Sequence, residues 1–112
     1  MKKIEAIIKP FKLSAVKASL HEINISGMTV IEVKGFGRQR GPEGLENQQD
    51  YSDEFHAKVK LEIIVENKIV DKAIEAIKNA AYSGKIGDGK IFVSDIEKVL
   101  RIRTGEKDND AV

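Results

Sequence analysis

Ser83-Gly84-Lys85-Ile86-Gly87-Asp88-Gly89-Lys90-Ile91-Phe92-Val93 decides the fold, because it reads in two incompatible ways. Gly84 to Lys90 spells G-x-x-x-x-G-K, the opening of a Walker A loop. A Walker loop leaves a strand and opens a helix, and its next residue is a Ser or Thr that binds magnesium. Here the next residue is Ile91. The preceding segment, Ile69 to Tyr82, carries Val70, Ala73, Ile74, Ile77 and Ala81 at helical spacing. The stretch therefore leaves a helix and enters a strand, Lys90 to Ser94, and a P-loop NTPase is rejected. Two readings remain. One is a helix C-cap glycine followed by a plain turn. The other is a turn whose glycines take positive φ and whose N–H groups and lysines hold an anion.

Upstream, Phe55 to Val65 alternates Val59, Leu61, Ile63 and Val65 with Lys58, Lys60 and Glu62, which predicts a strand with one buried and one polar face. Lys3 to Lys9 reads as a short strand ended by Pro10. Phe11 to Asn24 reads as a helix, with Leu13, Val16, Leu20 and Ile23 inward and Ser26-Gly27 as its stop. Met28 to Phe36 reads as a strand with Thr29, Ile31 and Val33 on one face. Gly35 to Glu54 is polar, with four glycines and Pro42, and is long for a connection in a compact domain. Val99 to Arg103 reads as a last extended piece with Arg101 and Arg103 on one side. Glu106 to Val112 reads as a polar, mobile tail.

The order strand, helix, strand, long loop, strand, helix, strand predicts an α+β ferredoxin-like βαββαβ domain over residues 1–112. Two helices cover one face of the sheet. The face carrying Lys58, Lys60 and Glu62 then meets solvent or another subunit, and the free edges point to a homo-oligomer.

Bulk composition agrees with one soluble domain: 112 residues, 41% hydrophobic, 33% charged. A net charge of +1 argues against a nucleic-acid binder. The absence of cysteine excludes disulfides and thiolate zinc sites. Met1-Lys2-Lys3-Ile4-Glu5 is not a secretory leader, and no apolar run is long enough to span a bilayer, so the expected setting is the cytoplasm. His21 and His56 stand in no motif and read as surface residues, so no nucleophile–base set is present. Three pieces instead suit a polyphosphate: Gly35-Phe36-Gly37-Arg38-Gln39 at the loop base, Gly87-Asp88-Gly89-Lys90, and the pair Arg101 and Arg103. Guanidinium groups make paired, charge-assisted bonds to phosphates.

Several segments resemble the PII nitrogen-regulatory signal proteins. They are Lys2 to Leu13, Gly27 to Val30, Glu32 to Gln39, Lys58 to Glu62, Gly84 to Val93 and Arg101-Ile102-Arg103-Thr104-Gly105-Glu106. The resemblance implies a homotrimer of ferredoxin-like subunits that is not an enzyme, with ATP and ADP competing for clefts between neighbours. It implies that Gly37, Arg38, Gly87, Gly89, Lys90, Arg101 and Arg103 hold phosphates, with Gly35 and Asp88 in the same site. Thr29, Glu62 and Ile64 would surround the adenine. Gln39 would join Mg²⁺, ATP and 2-oxoglutarate, and Lys58 would pair with a 2-oxoglutarate carboxylate. Residues 37–55 would form the T-loop that regulatory target proteins read, among them ammonium transporters and nitrogen-assimilation enzymes.

The loop also departs from the family. Tyr51 stands where some members are uridylylated, but Glu46-Asn47-Gln48-Gln49-Asp50 precedes it. Asn47 replaces the arginine that plugs ammonium channels, and Gln49 replaces the serine of phosphorylated relatives. An altered partner set is the implied consequence. Two other readings stand beside this one: an energy-charge sensor with weak ATPase activity in the same cleft, and a ferredoxin-like RNA-binding module. Near-neutral charge and the lack of paired aromatics on the middle strands count against the last.

Overall fold

A computed structural model of the chain describes residues 1–37 and 55–112. The elements are β1 (Lys2–Ile8), α1 (Leu13–Glu22), β2 (Thr29–Gly35), β3 (His56–Val65), α2 (Val70–Ala81) and β4 (Lys90–Asp95). The four strands form one antiparallel sheet in the order β2-β3-β1-β4. With α1 and α2 packed on each other and on one face, this is the expected α+β ferredoxin-like arrangement.

The core follows from alternation. Ile4, Ala6 and Ile8 of β1 and Val59, Leu61, Ile63 and Val65 of β3 point to the helices, which answer with Val16 and Leu20 and with Ala73, Ile77 and Ala81. Each large aliphatic side chain taken from water contributes about 1.5–3 kcal/mol. Residues opposed across antiparallel strands share a face. The other face therefore aligns Thr29, Glu62, Glu5 and Phe92 in one row, and Ile31, Lys60, Ile7 and Lys90 in the next. Lys3 and Lys60 pair with Glu5, and Lys60 also with Glu62. The Lys3 hydrogen bond is the main cause holding the Glu5 carboxyl below its ordinary value.

The structure corrects the sequence reading at several ends. Pro10 to Lys12 is a 3-10 turn, and the α-helix begins at Leu13. That helix ends at Glu22, two residues short of the expected Asn24, and the stop lies at Asn24 and not at Ser26-Gly27. Asn24 takes a left-handed φ of 69°. Its N–H reaches the His21 carbonyl at 2.9 Å, and the Ile25 N–H reaches the Leu20 carbonyl at 3.0 Å, a Schellman closure. Val99 to Arg103 is extended only at its start, where Leu100 pairs with Lys107, and residues 102–104 turn the chain back. The Arg101 N–H bonds the Glu106 carbonyl, the Gly105 N–H bonds the Arg101 carbonyl, and Leu100 bridges Lys107. The tail is also built in: Asp108–Ala111 form a 3-10 turn, and Asp108 accepts the Val99 N–H at 3.1 Å.

Candidate functional site

The glycine stretch is not a helix cap. Tyr82 leaves α2 in an extended conformation, so the turn begins on its own at Ser83. Gly84, Gly87 and Gly89 take φ values of 82°, 98° and 104°. At Gly89 a second constraint acts, since a Cβ there would lie 1.7 Å from the Ile7 carbonyl oxygen. The turn thus lies directly on the end of β1.

Asp88 organises it from inside. One carboxylate oxygen accepts the N–H groups of Ser83 at 2.8 Å and Gly84 at 2.9 Å. The other accepts the Ser83 hydroxyl and pairs with the Lys9 ammonium, the latter at 3.2 Å. Burial pushes the Asp88 carboxyl up, but these donors outweigh it and hold it far below the usual carboxylate range. Among the described residues, the N–H groups of Gly87, Asp88 and Gly89 donate to no protein acceptor. Neighbouring donors without partners, beside lysines, are what an anion requires.

Lys58 departs from the sequence reading, which put it on a polar face. It is 8% exposed, and its ammonium donates to the Gly87 carbonyl at 2.7 Å. Its stem lies 3.2 Å from where a Cβ on Gly35 would stand, so Gly35 leaves the space that this lysine fills. Burial lowers the Lys58 ammonium, the nearby Lys9 charge adds to that, and Asp88 opposes both. Lys90 opens β4 opposite Ile7 and is exposed. One end of the sheet therefore collects Gly35, Gly37, Lys58, Gly87, Asp88, Gly89 and Lys90. Arg38, Gln39 and Tyr51 lie outside the described residues, as does most of the loop expected over 37–55.

The remaining predicted residues are elsewhere. Thr29 and Glu62 oppose each other at the start of β2, and Ile64 follows on the same face. Arg101 is close by: with Gly27, Ile64 and Val112 it lines a hollow of about 530 Å³. Its guanidinium pairs with Glu106 at 3.2 Å and donates to the Ala111 carbonyl at 3.1 Å. Arg103 is exposed in the adjoining turn. Lys58 and Ile64 stand six residues apart on β3, roughly 20 Å at about 3.3 Å per residue. The chain thus carries two groups of candidate residues at opposite ends of its sheet, and does not bring them together by itself.

Sequence reasoning gave Lys9 and Ser83 no role in the site. Their only signal was an acid set inside a glycine turn, whose charge needs donors from somewhere.

The family described as Nitrogen regulatory protein P-II matches residues 1–106. A protein of that name from Azospirillum brasilense is 59% identical over 112 residues, covering all of both chains. Nitrogen regulatory protein P-II 1 of Escherichia coli K12 is 56% identical, again over the whole of both. Among solved structures, Arabidopsis thaliana PII bound to citrate superposes with a TM-score of 0.83 at 41% identity, covering 99% of this chain and 91% of the other.

Proposed function

Starting from a chain that belongs to the nitrogen regulatory protein P-II family, we propose a non-enzymatic sensor that binds ATP, ADP and 2-oxoglutarate and regulates target proteins through the loop over 37–55. The observation that carries this reading is the glycine turn. Gly87 and Gly89 hold left-handed backbone, their N–H groups have no protein acceptor among the described residues, and Lys90 and Lys58 flank them. Such a nest suits the charged oxygens of a polyphosphate. Lys58 supplies a cation in a partly desolvated place, where a carboxylate ligand gains more than at an open surface. The citrate on the Arabidopsis relative is a polycarboxylate, which agrees with a carboxylate partner for Lys58 here.

The two separated residue groups support a site completed between copies, the turn from one chain and Thr29, Glu62, Ile64, Arg101 and Arg103 from its neighbour. A homotrimer is the assembly in this reading. Among the described residues no three His, Cys, Asp or Glu side chains converge as a metal site. Mg²⁺ would accordingly enter with the nucleotide, with Gln39 as its protein ligand. Among the described residues no helix is long and apolar enough to cross a membrane, and the cytoplasm is the proposed setting. The acids Glu43, Glu46, Asp50, Asp53 and Glu54, with Asn47, support a partner set other than an ammonium transporter.

Calorimetric titration tests the reading. ATP and ADP are expected to bind and to compete. The 2-oxoglutarate response is expected with Mg²⁺-ATP and not with ADP, and by linkage each ligand tightens the other. Lys90→Ala is expected to abolish nucleotide binding. Nucleotide binding with no 2-oxoglutarate response would leave an energy-charge sensor. Failure of the native chain to bind any nucleotide would sink the proposal.

A further inference from the structure

The family resemblance places Asp88 in the nucleotide site, but its carboxylate is already engaged. One oxygen serves two backbone N–H groups, of Ser83 and Gly84, and the other serves the Ser83 hydroxyl and the Lys9 ammonium. Lys9 also donates to the Ser83 hydroxyl at 3.2 Å. Lys9 itself is held in place. It precedes Pro10, which keeps its backbone extended (φ −67°, ψ 139°), and its carbonyl accepts the Lys12 N–H at 3.0 Å. The end of β1 therefore grips the turn twice, through the Ile7 carbonyl against Gly89 and through the Lys9 ammonium on Asp88. Gly87 and Gly89, whose backbones have little intrinsic preference for one state, flank the gripped Asp88. Holding them in the bound shape beforehand spares a ligand that ordering.

We propose that Lys9 and Asp88 are positioning residues of the anion-binding turn: together their side chains lock Gly87 and Gly89 in left-handed backbone and touch no ligand themselves. The inference rests on the reading that this turn binds nucleotide phosphates. A clamp of this kind also explains why a turn so rich in glycine needs an acid at its centre. The acid draws the chain inward on Ser83 and Gly84, and the N–H groups of Gly87 and Gly89 are left for the ligand.

The test is ATP calorimetry, with and without Mg²⁺, on the native chain and on Lys9→Met, Lys9→Arg, Asp88→Asn and the Lys9→Met/Asp88→Asn pair. Lys9→Met and Asp88→Asn are each expected to weaken ATP about tenfold. The pair is expected to be no weaker than either alone, because one clamp is lost in every case. Lys9→Arg, which keeps the ion pair, is expected to restore most of the affinity. The loss is expected to be the same with and without Mg²⁺. In the ligand-free state, the amide resonances of Gly87 and Gly89 are expected to shift in Lys9→Met. If Lys9→Met does not fold, Ser83→Ala removes a single hydroxyl from the clamp and is expected to weaken ATP about threefold.

Native affinity in Lys9→Met, or unmoved Gly87 and Gly89 resonances, overturns the clamp. A loss in Asp88→Asn seen only with Mg²⁺ overturns it too, since Asp88 would then be a metal ligand. A native chain that binds no ATP removes the underlying reading and this inference with it, and that result is distinct from native binding that survives the loss of Lys9.

Discussion

Gly89 and Gly27 differ in what their backbones demand, although a sequence shows both simply as glycine. A Cβ on Gly89 would overlap the Ile7 carbonyl oxygen, and its φ of 104° already disfavours any side chain. A Cβ on Gly27 would meet nothing within 4 Å. Gly89→Ala is expected to cost about 3 kcal/mol in a urea melt, whereas Gly27→Ala stays within about 0.5 kcal/mol. Equal effects would mean that β1 does not support the turn at Gly89. Asp88 carries a second residue-scale prediction. Its folded carboxyl sits far below its unfolded value of about 3.9. Its contribution is therefore complete above the unfolded value and is lost as pH falls through the folded one. The stability difference between the native chain and Asp88→Asn is expected to hold constant above about pH 5 and to shrink steadily below about pH 4. A difference as large at about pH 2.5 as at neutral pH would mean that the carboxylate charge is not its source. The glycines of this site were legible, because few residues besides glycine tolerate such backbone. Lys9 was not, because its partner lies 79 positions away and no periodicity links them.

At the scale of the element, legibility followed the amount of burial. Val59, Leu61, Ile63 and Val65 alternate because one face of β3 is fully covered, and that pattern placed the strand to within a residue. Val70, Ala73, Ile74, Ile77 and Ala81 did the same for α2. Ends governed by single hydrogen bonds were harder. Ser26-Gly27 reads as the stop of α1 because it is a turn signal, yet Asn24 takes the left-handed position and Ile25 packs against the core behind it. Past β4 no face is buried deeply enough to leave a pattern. The path there is set by Asp108 on the Val99 N–H and by the Thr104 hydroxyl donating to Glu106 at 2.8 Å. Such side-chain bonds compete with extended backbone and bend the chain back. Arg103 accordingly stands in a turn that Arg101 closes, so the two are not aligned as they would be on one strand. The consequence for function is that Arg101 is oriented by Glu106 and by the Ala111 carbonyl.

Across the whole molecule, the sheet sets the geometry of binding. Its helix-free face mixes a charged centre, Lys3, Glu5, Lys60 and Glu62, with partly exposed Ile31 and Phe92. A face so equipped can meet copies of itself, with charges choosing the register and apolar groups supplying the area. The two candidate half-sites stand at opposite ends of that sheet, roughly 20 Å apart along β3. If neighbours complete each other's sites, two damaged chains can repair one another. Lys90→Ala removes the turn half and Arg101→Ala removes the other half, so neither chain alone is expected to bind ATP. In a mixed assembly refolded from equal parts of both, a cleft is intact when it takes its turn from the Arg101→Ala chain and its arginine from the Lys90→Ala chain. Random association in a closed ring makes that about one cleft in four. Calorimetry of the mixture is therefore expected to recover about a quarter of the native stoichiometry at native affinity. A site built within one chain would give no recovery at any mixing ratio, because every chain would then carry its own defect into its own site.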